Sequence, residues 1–383
     1  MPRPLPRFPV TTVGSWPRPK ELLLAMKRRS PELPGLMDAA VLAALAAQER
    51  AGADIVTDGE QRRDNFTSFL SERVEGFERM SMADLLDHVE DKAAFEALLQ
   101  TLDVPAYAIR NNVAVGRLRA KRPLVLDDYL FLRQHTDRAI KVTLPGPYIL
   151  VRSAWVEKLS RRAFRSRDEL CDDVVALLRG ELQALAEAGV DVVQFDEPVL
   201  TELVFAGKSS THTFMCAALA ASANPTGELE LAVELMNRVV AGITGPIRGV
   251  HVCRGNWSRD EKVLLKGSYD DLLPHLARMK VDQFVLEYAT PRAGDASLLA
   301  GLPATASIGF GVVNPRTDEL EDPGAIAARV AGLAAVLGHE RIHLNPDCGF
   351  GTFAERPMNS AERAAEKVRV LAEAAQRLRG ADG

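Results

Sequence analysis

Residues 166–198 read SRDELCDDVVALLRGELQALAEAGVDVVQFDEP and hold one complete unit of an alternating fold. Ser166 and Glu169 spell a capping box, and Leu170, Val174, Leu177, Leu178 and Leu182 recur at helical spacing, which predicts a helix over Arg167–Ala188. Val190–Phe195 follows as a continuous apolar run, the pattern of a strand covered on both faces. The run stops at Asp196-Glu197-Pro198, so carboxylates stand at its C-terminal end. A helix leading into a buried parallel strand is the repeating element of an α/β barrel or a doubly wound sheet.

Seven further runs have the same character: Val10–Val13, Asp54–Thr57, Ile140–Leu144, Ile247–Val252, Gln283–Glu287, Ala304–Phe310 and Ile342–Asn345. Helical periodicity fills Asp38–Ala51, Glu228–Ile243, Tyr269–Arg278, Gly324–Leu337 and Ala361–Arg379. Eight strands with interleaved helices predict an α/β TIM (β/α)8 barrel over residues 1–383, since a doubly wound sheet more often has five or six strands. The link between the second and third strands is too long for a plain crossover. Residues 79–137 are expected to form an insertion at the catalytic mouth, with a helix at Met82–Leu102 and a hairpin around Tyr107–Pro123.

With 383 residues, 47% hydrophobic and 26% charged, the chain has ample material for a core. Lys and Arg number 47 against 52 Asp and Glu, a net charge of -5, which argues against a nucleic acid partner. Four cysteines are too few for a disulfide framework at this length, and no run approaches a membrane span. A cytoplasmic protein is the expectation.

Chemistry in such a barrel sits at the C-terminal strand ends. Those ends carry Gly14-Ser15, Asp58-Gly59-Glu60, Asp196-Glu197, His251-Val252-Cys253, Glu287 and Asp347-Cys348-Gly349. His251 and Cys253 are two apart on a strand and leave the same face. With Glu287 and Cys348 they form a set of one imidazole, two thiolates and one carboxylate, all ligand types that Zn²⁺ accepts. Asp196 and Glu197 point opposite ways, so one is expected to face the mouth while the other braces the structure.

Other motifs weigh less. His339-Glu340-Arg341-Ile342-His343 spells a metalloprotease motif but straddles a helix end and a strand start, so its histidines share no helical face. Gly207-Lys208-Ser209 resembles the end of a phosphate-binding loop, yet Glu202 stands where the first glycine belongs. Cys171 and Cys216 read as core or bystander residues, and Trp16 and Trp155 as pocket lining or packing.

Taken in order, Thr12-Val13-Gly14-Ser15, Asp58-Gly59-Glu60, Leu144-Pro145-Gly146-Pro147, Asp196-Glu197-Pro198, His251-Val252-Cys253, Glu287 and Asn345-Pro346-Asp347-Cys348-Gly349 resemble the C-terminal catalytic barrel of the cobalamin-independent methionine synthase family, across nearly the whole chain. The resemblance implies a zinc-dependent methyltransferase acting on the thiol of homocysteine to give methionine. His251, Cys253, Glu287 and Cys348 would hold Zn²⁺, Ser15 would help hold the amino-acid carboxylate and Asp196 its ammonium group, with Gly14, Glu60 and Arg62 as further candidate substrate-binding residues. The family's N-terminal barrel has no counterpart here, so the chain resembles a short core form.

Three departures matter. Ser153 stands where the family has a folate-stacking Trp, with Trp155 two residues on, and Val313 replaces a His that assists the leaving group. A folate nitrogen needs a proton to leave whereas a cobalt-bound methyl group needs none, which points to a methylated corrinoid donor, carried by a partner protein docking near the insertion. Arg62 replaces a Glu that contacts the ammonium group; facing the site, it would favour an anionic thiol over homocysteine. The competing readings are alkyl transfer to another small thiol, a barrel hydrolase using Glu60 and Asp196, and a non-catalytic zinc protein.

Overall fold

The computed structural model describes residues 3–88, 92, 93, 96, 110–205, 224–256, 258, 259 and 265–380. Its strands are β1 (Ile55–Val56), β2 (Val74–Ser81), β3 (Arg110–Ala120), β4 (Ala139–Pro145), β5 (Val192–Asp196), β6 (Ile247–Val252), β7 (Gln283–Glu287), β8 (Ser307–Val313) and β9 (Ile342–Pro346). Seven of them form one parallel sheet in the order β1-β4-β5-β6-β7-β8-β9. The eighth stave is a short segment at the chain's start. Val10 bridges Leu344 of β9 and Thr11 bridges Ile55 of β1, both parallel, so the sheet closes into a (β/α)8 barrel.

The residues of β4, β5 and β7 are buried throughout, as strands lined inside by side chains and outside by helices must be. Leu33–Ala51, Arg167–Glu187, Pro225–Val240, Pro323–Leu337 and Ala361–Gly380 are the long covering helices. Arg167–Glu187 turns Leu170, Val174, Leu177, Leu178 and Leu182 inward as its periodicity predicts. The predicted capping box is not made. Glu169 instead accepts the backbone N–H of Arg165 at 2.7 Å and the Arg165 guanidinium at 2.6 Å, a charge-assisted pair that competes better than the neutral backbone N–H of Ser166. Tyr269–Arg278 is not a continuous helix. It divides into a 3₁₀ turn, Tyr269–Asp271, and the short helix Leu273–Leu276, which has Pro274 near its start.

The segment between β1 and β4 departs most from expectation. Residues Arg110–Ala120, expected to fold back on themselves within a hairpin at Tyr107–Pro123, form one long strand instead. It pairs antiparallel with Val74–Ser81, a strand for which the sequence has no apolar run. Only Met82–Leu85 of the predicted Met82–Leu102 helix falls in a described helix of its own, with Ser81 and Asp84 closing a reciprocal cap; most of the remainder lies outside the described residues. Among the described residues, no helix is long and apolar enough to cross a membrane.

Candidate active site

A cleft of about 530 Å³ opens at the C-terminal strand ends. Its walls include Ser15, Glu60, Asp196, His251, Cys253, Cys348 and Gly349, so residues from five separate stretches of chain meet there.

One wall carries sulfur and imidazole. Ligand atoms of His251, Cys253 and Cys348 all lie within 4.8 Å of one another, and all three residues are buried. Cys348 Sγ is 3.6 Å from His251 Nε2. Ions bound tetrahedrally at about 2.0–2.3 Å keep their ligand atoms roughly 3.5 Å apart, so the three groups need little movement to share one. His251 Nδ1 is 3.1 Å from the carbonyl oxygen of Val285. A carbonyl can only accept, so Nδ1 carries a proton and Nε2 is the nitrogen that faces the thiols, the one a metal would take. The Cys253 thiol is pulled down to about 6, first by the hydrogen bond from Cys348 and then by His251. The Cys348 thiol is pushed upward, first by that same bond. This donor set of one imidazole and two thiols suits zinc.

Glu287 stands apart from the three. Its Oε1 accepts the backbone N–H of Arg254 at 3.1 Å, and its Oε2 lies 3.4 Å from both Arg292 and Arg316. Burial works to raise its pKa, but Arg316 and Arg292 outweigh burial and hold it below the ordinary range, so the carboxylate is ionised. The expected four-residue cluster is therefore three residues plus a carboxylate tied to arginines. Those arginines follow the strand ends in loops, where the periodicity that locates strands has no bearing.

The other wall carries carboxylates. Glu60 has left-handed backbone, φ +54, which is rare outside glycine. Its backbone N–H donates to Asp58 Oδ1 at 3.0 Å, Arg18 donates to its carbonyl at 2.7 Å, and Thr143 Oγ1 donates to its Oε1 at 2.9 Å. Glu60 Oε2 is buried with no partner. Asp196 accepts the Gln194 amide at 2.8 Å, and burial raises its pKa to about 7. Glu197 faces away from it and accepts the N–H groups of Tyr148 and Ile149 at 2.7 and 3.0 Å, bracing the start of helix Pro147–Ala154. The opposite roles expected of this adjacent pair are those the structure has.

Ser15 sits at the junction of the walls. Its hydroxyl accepts the N–H of Gly351 at 3.3 Å, and a Cβ on Gly349 would lie 2.0 Å from that oxygen. A Cβ on Gly14 would lie 2.5 Å from Glu60 Oε1, so both glycines give room to their polar neighbours. Arg62 is not part of the cleft. Its guanidinium reaches Asp38 at 2.5 Å and Asp128 at 3.5 Å and stacks over Phe131 at 4.4 Å. Two carboxylates and a ring outside the barrel mouth outcompete the cleft for it.

Neither Trp16 nor Trp155 lines the cleft: Trp16 packs edge-on against Phe350, and Trp155 donates to Glu157 at 2.9 Å. Ser153 donates to the Ile149 carbonyl at 2.7 Å within its own helix, and Val313 is fully buried. Phe66, Asn256, Thr352 and Phe353 do line the cleft and went unnoticed in sequence, since each lies in a loop without periodicity. His339 and His343 are separated as expected, the first in a 3₁₀ turn and the second in β9. Cys171 is buried in its helix, while Cys216 and Gly207-Lys208-Ser209 lie outside the described residues.

The family of cobalamin-independent synthase catalytic domains matches residues 8–236 and 260–377. A methionine synthase from Thermococcus kodakarensis is 30% identical over 355 residues, covering 90% of this chain and 88% of that protein. The fold matches a B12-independent methionine synthase from Shewanella sp. W3-18-1 in complex with selenomethionine, with TM-score 0.72, 20% identity and coverage of 98% and 99%. It also matches a putative vitamin-B12-independent methionine synthase from Listeria monocytogenes, with TM-score 0.69, 20% identity and coverage of 98% and 99%. A match over residues 8–236 and 260–377, most of the barrel, means that this chain belongs to the cobalamin-independent synthase catalytic-domain family.

Proposed function

We propose that the chain is a zinc-dependent methyltransferase that methylates the sulfur of homocysteine to form methionine. The observation that carries this reading is the pairing of two unlike walls across one cleft: three soft ligands on one side, and on the other two carboxylates with an unpartnered oxygen at Glu60 Oε2. A thiol amino acid has a group for each. His251, Cys253 and Cys348 would hold the zinc, with Glu287 the nearby carboxylate, and zinc when bound supplies the Lewis acidity that keeps a thiol ionised at neutral pH.

The chain's own residues bind and orient. Glu60 and Asp196 take the ammonium group, and Gly14 and Ser15 leave space and a hydroxyl for the carboxylate. The substrate sulfur forms its bond to the methyl carbon as the bond to the donor breaks, and the bonding pair departs with the donor. With Arg62 paired outside the cleft, this wall keeps its negative charge, which favours homocysteine over an anionic thiol.

For the donor we infer a methylated corrinoid on a partner protein that docks at the 79–137 insertion. Val313 offers no proton to a leaving nitrogen, and Trp155 is bonded to Glu157 instead of lining the cleft. The test is to measure bound zinc in the purified protein and then offer homocysteine with methylcobalamin or with methyltetrahydrofolate, reading methionine formed. Stoichiometric zinc and methionine from methylcobalamin are expected. Turnover with methyltetrahydrofolate alone overturns the donor, and a protein that forms no methionine from either overturns the reaction.

A further inference from the structure

The two cysteines of the thiol centre come from loops far apart in sequence, Cys253 after β6 and Cys348 after β9. One side chain ties these loops together directly. Gly255, at φ +104, adopts a left-handed turn that suits glycine and brings Asn256 across the mouth of the barrel. Asn256 Nδ2 donates to the carbonyl of Gly349 at 2.7 Å and to Thr352 Oγ1 at 2.9 Å. Gly349 is the residue after Cys348, so the first of these bonds fixes the peptide beside the second thiol. The amide orientation is settled by chemistry: the Gly349 carbonyl can only accept, so nitrogen must face it. Satisfying two acceptors at once needs an NH₂ group, and the isosteric Asp could not donate to the Gly349 carbonyl.

We propose that Asn256 is a positioning residue of the thiol centre, setting the separation between Cys253 and Cys348 and with it the affinity for the bound ion. This rests on the zinc reading above, and Asn256 is itself not a ligand. Side chains that orient metal ligands are worth on the order of 10- to 100-fold in metal affinity. The effect passes through the Gly349 bond, because Thr352 lies four residues beyond Cys348 and its hydroxyl serves only the far end of the latch.

The experiment is a zinc titration of the full chain against a chromogenic chelator, with Co²⁺ substitution to read thiolate charge-transfer absorption. Asn256→Ala and Asn256→Asp are each expected to weaken zinc at least tenfold and to lower or shift the Co²⁺-thiolate band, with far-UV circular dichroism unchanged. Thr352→Val, which leaves the Gly349 bond in place, is expected to lose no more than about threefold. Should Asn256→Ala not fold, the same-sized Asn256→Asp carries the test. Zinc affinity within threefold of the parent in the folded Asn256 variants overturns the proposal, as does an equal loss in Thr352→Val. A parent chain that retains no zinc overturns the zinc reading itself; a zinc-binding parent with unaffected variants overturns the Asn256 role alone.

Discussion

Glu60 and Asp196, on one wall of the cleft, are held by Thr143, Arg18, Asp58 and Gln194, a web of hydrogen bonds that leaves one oxygen over. His251, Cys253 and Cys348, on the other, are tied outward through the Val285 carbonyl behind the imidazole, the Thr201 hydroxyl on the Cys253 carbonyl, the Glu197 N–H on the His251 carbonyl and the Asn256 amide on the second thiol loop, while the two thiols and the imidazole Nε2 face one another. The first wall is finished before any ligand arrives, which suits recognition of a fixed charge. The second has its donors aimed at one another, which suits a centre whose bonding partners change during turnover.

If the walls are separable, Cys253→Ser should remove zinc and lower methionine formation by at least about a thousandfold, while L-methionine still binds to the carboxylate wall. Metal analysis with calorimetry checks this, and joint loss of both properties would show one cooperative site. Glu60→Gln and Asp196→Asn should do the reverse, raising KM for homocysteine roughly 10- to 100-fold through a lost charge-assisted bond, with zinc content unchanged. Gly349→Ala touches both walls, since its Cβ would lie 2.0 Å from Ser15 Oγ. We expect about a tenfold rise in KM in steady-state kinetics with zinc retained.

The floor beneath the walls should matter to stability and little to binding. His343, bonded to Gln283 at 3.1 Å, has its pKa lowered to about 4 by burial and then by Lys141. Its folded pKa lies below the ordinary 6.5 of an unfolded chain. Its contribution is therefore complete above pH 6.5 and lost as pH falls toward 4, about 3 kcal/mol in all. His343→Gln should flatten that part of the pH dependence in urea unfolding and leave KM unchanged.

The barrel was legible in sequence because its strands are buried on both sides: Ile247–Val252 and Gln283–Glu287 have the bounds their apolar runs predict. Ala304–Phe310 slipped to Ser307–Val313 because Gly309 and Gly311, which interrupt the run, lie within the strand, where Asn345 and Asp347 leave no room for a Cβ. Val74–Ser81 escaped notice because VEGFERMS, one strand of a two-stranded ribbon, is only partly buried along most of its length and rich in charge. At the site, strand-end spacing located His251, Cys253 and Cys348, but the pairing of Glu287 with Arg292 and Arg316, and of Arg62 with Asp38, depends on loops that meet only after folding.

The stave formed by Val10 and Thr11 lies between Ile55 and Leu344. On the ribosome it emerges among the first segments and must wait for nearly the last before its second neighbour exists. A nascent chain halted before β9 would present His251 and Cys253 without Cys348, so the three-residue centre can assemble only after the last strand of the sheet has been made.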